Sequence, residues 1–119
     1  MEGFEALLRL YRQALPEKRE LLERAWHGVQ HDPAPEPHAQ ALRRHLHNLS
    51  GSGGAYGFDE LGDLARQLEK PWKQWLALPA PRPDPAALCA EHAAAWRALI
   101  DLLIANSLPP DLDEPEDRG

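Results

Sequence analysis

The stretch that decides the fold runs from His45 to Phe58 and reads His-Leu-His-Asn-Leu-Ser-Gly-Ser-Gly-Gly-Ala-Tyr-Gly-Phe. On a helical wheel at about 100° per residue, Leu42, Leu46, Leu49 and Gly53 fall on one narrow arc, the pattern of a core stripe. His47 stands about 130° from the centre of that stripe, so the spacing points its ring outward. Gln40, Arg43, Gly51 and Gly54 share its face. An imidazole is thus set on a helix surface with the side chains cleared from the turns beyond it. Each glycine inside a helix costs about 1 kcal/mol relative to alanine, and Gly51, Gly53 and Gly54 are close together. That expense makes sense if something must approach the backbone beside His47.

Outward from this stretch, helical periodicity continues in both directions. Phe4, Leu7, Leu8, Tyr11 and Leu15 predict a first helix over about 2–15, which Pro16 breaks or kinks. Pro16 then opens a second helix carrying Leu21, Leu22, Ala25, Trp26 and Val29. Pro33, Pro35 and Pro37 end it, because alternating prolines cannot continue a helix. The helix bearing His47 starts near Pro37 or His38 and ends around 52–55. The next follows Gly57 and carries Phe58, Leu61, Ala65, Leu68, Trp72 and Trp75 at three- and four-residue spacing, with Pro71 as a kink or a restart. Leu78 to Pro83 is a stiff extended linker. Asp84-Pro85 is an N-cap followed by a first-turn proline, and one helix is expected from there to about Asn106, with Leu88, His92, Trp96, Leu99, Leu102 and Leu103 inward. No strand pattern competes. The expected fold is all-α: an antiparallel four-helix bundle over 1–108 with a short additional N-terminal helix packed across it. The acidic remainder, 109–119, has too little apolar surface to fold and is expected to be mobile.

Composition narrows the function. The net charge of −6 lacks the basic footprint that nucleic-acid binding requires. No apolar run reaches the length of a membrane span, and no signal-peptide pattern opens the chain. The single cysteine, Cys89, excludes an internal disulfide framework and suits a reducing cytoplasm. His27 and His31 have a spacing that can grip zinc, but no third ligand accompanies them, so no metal site is expected. His45 diverges from His47 by about 200° and reads as a packing or capping residue. His92 reads as a core histidine and His38 as solvent-facing.

The string His47-Asn48-Leu49-Ser50-Gly51-Ser52-Gly53-Gly54, then Tyr56-Gly57-Phe58, then Leu61, Ala65, Leu68 and Glu69, resembles the signature of histidine phosphotransfer (HPt) domains. The likeness spans about 25 residues without a gap, and the flanking helices suit that family's bundle. It implies a phosphocarrier without kinase activity of its own, working in a two-component phosphorelay. His47 would accept a phosphoryl group from the aspartyl phosphate of a response-regulator receiver domain and pass it on. The resemblance places Glu69 at the position that bonds the inner ring nitrogen and orients the ring. It also makes Arg43 and Arg44 candidates for contacting the receiver or the phosphoryl oxygens. Ser50 stands where many members carry lysine, and is with Ser52 a candidate hydrogen-bond donor to a phosphoryl oxygen, though the Ser52 hydroxyl better suits local backbone capping. Gly51 and Gly54 would leave room for docking, and Gly57 would serve the turn. No cofactor is implied for this chain, since the receiver brings Mg²⁺. The implied partners are receiver domains and a sensor histidine kinase, met by a cytoplasmic monomer. The rival reading is a non-catalytic helical-bundle adaptor, a degenerate HPt fold that binds a receiver or other signalling protein without chemistry.

Overall fold

The computed structural model describes residues 2–111, and no strand occurs among them. Five helices follow in order: α1 (Glu2–His31), α2 (Glu36–Ala55), α3 (Asp59–Ala77), α4 (Pro85–Glu91) and α5 (Ala93–Asn106). The long α1, α2, α3 and α5 form the bundle around Leu15, Leu22, Leu42, Leu46, Leu68, Trp72 and Leu99, all buried. No helix among the described residues is long and apolar enough to cross a membrane.

The separate N-terminal helix expected from Pro16 does not exist. Instead α1 is one helix of 30 residues with Pro16 inside it. Proline removes the N–H that would bond the carbonyl four residues back, here that of Arg12. Leu108 N–H takes its place on Arg12 O at 3.1 Å. Burial on both sides of the proline then favours continuity, because Tyr11, Leu15, Leu22 and Val29 form one core stripe. Pro71 is likewise inside α3. Gln67, four residues before it, is exposed, so solvent can serve the carbonyl left free.

The last predicted helix is broken instead at His92, whose φ of −108° and ψ of 19° separate α4 from α5. In a straight helix His92 would share the Leu99 stripe and Cys89 would stand about 80° away. The break reverses this: Cys89 is 1% exposed, whereas the His92 side chain keeps 25% of its surface. His92 is therefore not a core residue. Trp96, beyond the break, stacks on Trp26 of α1 with centroids 4.1 Å apart. After α5 the chain stays on α1 as far as Asp111, which accepts from Arg9 at 2.7 Å and Gln13 at 3.0 Å. The tail expectation for 112–119 lies outside the described residues.

The contact that positions the site is between α2 and α3, the most extensive helix pair in the molecule. They cross glycine on glycine. A Cβ on Gly53 would stand 3.1 Å from Gly62 N, and one on Gly62 would stand 3.1 Å from Ser50 O. The turn between the two helices is closed by Gly57 N–H to Gly54 O at 3.2 Å and Phe58 N–H to Gly53 O at 2.7 Å. These are the paired bonds of a Schellman cap, which requires the φ of +85° that Gly57 adopts. Tyr11 of α1 seals the turn. Its ring stacks on Tyr56 and Phe58 at 4.5 and 5.6 Å, and its hydroxyl bonds Ser52 Oγ at 2.8 Å.

Candidate functional site

Antiparallel register does the positioning. From the Gly53–Gly62 crossing, His47 is six residues back along α2 and Glu69 seven residues forward along α3. At about 1.5 Å per residue both lie about 10 Å from the crossing, at the same height on adjacent helices. Their side chains meet: His47 Nδ1 is 3.2 Å and 3.3 Å from the two Glu69 carboxylate oxygens. The Glu69 side chain is only 11% exposed, while that of His47 is 67% exposed. An ionised carboxylate only accepts, so the shared proton is assigned to Nδ1, which leaves the lone pair on Nε2. Lys73, one turn on from Glu69, makes no ion pair with it within 4.0 Å; Arg43 does, with Nε 3.4 Å from Oε2.

The glycines fall into two groups. Gly53 and Gly62 have an internal reason to lack side chains, the close crossing. Gly51 and Gly54 have none, since a Cβ on either would meet nothing within 4 Å. Both are exposed beside His47. Among the described residues their absent side chains relieve no contact, although each glycine weakens α2.

Other predicted residues divide similarly. Arg44 is exposed. Ser50 keeps only 8% of its surface, and its backbone carbonyl faces Gly62 at the tight α2–α3 crossing. Ser52 bonds locally, to Leu49 O at 3.4 Å and to Tyr11. The Tyr11–Ser52 bond and the glycine crossing were not legible as pairings. Gly62, interrupting the stripe of Leu61, Ala65 and Leu68, was the available signal for the crossing.

The remaining histidines stand apart from the site. His38 bonds Asp32 at 2.7 Å. His27 and His31 face each other at 4.4 Å, but no trio of His, Cys, Asp or Glu that could hold a metal exists among the described residues. His45 is half-buried, and its pKa is pushed below the usual histidine value by burial first, then by Arg44 and Lys18. The unfolded chain therefore takes up a proton at His45 at a pH where the folded chain still refuses it. Stability supported by the neutral ring is lost as pH falls below the ordinary histidine value of about 6.5. His45→Gln should flatten the decline in chemical-denaturation stability between about pH 7 and 5.5 relative to the parent chain; an unchanged slope would refute this role.

No curated protein and no solved structure matches the chain. A family model described as the Hpt domain matches residues 6–106, which takes in α2, α3 and the His47–Glu69 pair. The chain therefore belongs to the histidine phosphotransfer domain family, whose members carry phosphoryl groups within phosphorelays.

Proposed function

We propose that this protein is a phosphorelay intermediate that accepts a phosphoryl group on His47 from a receiver-domain aspartate and passes it on. The observation that carries this reading is the asymmetric ring. One nitrogen is held by the nearly buried carboxylate of Glu69 at 3.2 Å, in a side chain that remains 67% exposed. In the transfer step the Nε2 lone pair attacks phosphorus, the N–P bond forms, and the acyl-phosphate P–O bond breaks with departure of the aspartate carboxylate. Nδ1 keeps its proton, and Glu69 faces the positive charge that develops on the ring. The bundle orients and exposes the nucleophile, while the acidic pocket and its Mg²⁺ belong to the receiver. The docking surface is the α2–α3 face around Gly51, Gly54, Arg43 and Arg44. Such a small contact suits transient encounters between a cytoplasmic monomer and successive partners, among them receiver domains and a sensor kinase.

Incubation with acetyl phosphate or a phosphorylated receiver, followed by mass spectrometry, tests the reading. The expected result is a gain of one phosphoryl that is acid-labile and absent from His47→Gln. No gain with any donor would favour the adaptor.

A further inference from the structure

Arg43 does more in this structure than decorate the docking face. Its Nε lies 3.4 Å from Glu69 Oε2, the same oxygen that is 3.2 Å from His47 Nδ1. That Nε is buried and has no hydrogen-bond partner, so the contact with Glu69 is one of charge rather than a directed bond. Glu69 in turn is a nearly buried carboxylate, and among the described residues no basic side chain other than Arg43 and the His47 ring comes within 4.0 Å of it. A carboxylate removed from water needs a compensating charge or it takes up a proton.

We infer that Arg43 is a positioning residue whose charge keeps Glu69 ionised beside a neutral His47, and so keeps the proton off Nε2. The inference deepens the relay reading and rests on it for its functional meaning. With the guanidinium in place, carboxylate and cation balance, and the imidazole need carry no charge. Without it, two responses are open. His47 becomes the counter-cation of Glu69, which puts protons on both ring nitrogens. Alternatively Glu69 takes up a proton and donates it to Nδ1, which drives the ring proton to Nε2. Each response blocks the lone pair that attacks phosphorus. The nucleophile is thus governed by a residue that does not touch it.

Two-bond ¹H–¹⁵N correlation spectra of the ¹⁵N-labelled protein, recorded at one fixed pH near 7.5, read the protonation of each ring nitrogen directly. In the parent chain the Nε2 of His47 should resonate as an unprotonated nitrogen. Arg43→Gln should move it clearly toward the protonated range. Arg43→Lys should restore most of the parent pattern, because the contact depends on charge and not on the guanidinium fork. Backbone amide signals outside α2 and α3 report whether the fold is kept. Phosphotransfer by Arg43→Gln should fall about tenfold, the usual order for losing a residue that tunes a reacting ligand. A ring pattern identical in Arg43→Gln and the parent would overturn the inference, as would Arg43→Lys behaving like Arg43→Gln. The ring measurement uses no phosphoryl donor. If the parent chain accepts no phosphoryl group, the relay reading falls while the spectra still decide what Arg43 does.

Discussion

Gly51→Arg is expected to leave the helical circular-dichroism signal and thermal midpoint at or slightly above their parent values, yet to cut transfer from a phosphorylated receiver by about 100-fold, equivalent to roughly 2.7 kcal/mol. The two halves of this result come from one observation. A Cβ at Gly51 meets nothing within 4 Å, so the fold gains helix propensity, by up to about 1 kcal/mol for alanine at this position. The same open space is one turn from His47 on its own face, where a long side chain would stand in the path of a docking domain. Labelling by acetyl phosphate, which needs no docking surface, should persist. Retained transfer from the receiver would remove the docking role of this glycine and leave its presence in α2 without a reason.

Gly62→Val should have the opposite signature. Its Cβ would be placed 3.1 Å from Ser50 O and 3.2 Å from Gly54 N, and both neighbours are backbone atoms that cannot rotate away. The helices must separate, at an overpacking cost of about 1–3 kcal/mol. In a chain of this size that corresponds to a fall in midpoint of about 5–15 °C. The register between His47 and Glu69 is set from this crossing, so the ring would lose its hold on the carboxylate. Labelling by the small donor should therefore drop together with transfer from the receiver, unlike in Gly51→Arg. A Gly62→Val protein with a parent-like midpoint and parent-like labelling would show that the crossing does not position the site.

The contrast between these two glycines also shows what could be read from the chain and what could not. Periodicity was enough for the buried faces, because Leu42, Leu46, Leu49 and Gly53 can be inward only on one helical phase, and that phase forces His47 out. The capping glycine Gly57 was legible for the same local reason. Pro16 was misleading because its penalty is local while its remedy is not: the carbonyl it strands on Arg12 is satisfied by Leu108, nearly the whole chain away. The break at His92 has no proline or glycine to announce it and follows from burying Cys89 and stacking Trp96 on Trp26. Within the site, the ungapped likeness carried Glu69 to the correct place beside the ring. The low exposure of Ser50 was not legible, because it follows from the α2–α3 crossing and not from its distance of three residues from His47. The shared use of Glu69 by Arg43 and His47 depends on two helices meeting, which no single-helix pattern contains.

The atom that carries the phosphoryl group decides whether His47 is the relay nucleophile. Nuclear magnetic resonance of the protein freshly labelled by acetyl phosphate distinguishes phosphorylation at the two ring nitrogens. A single phosphohistidine is expected, at Nε2 of His47, with Nδ1 still protonated against Glu69. Phosphate on Nδ1, on another histidine, or on no residue at all would contradict it.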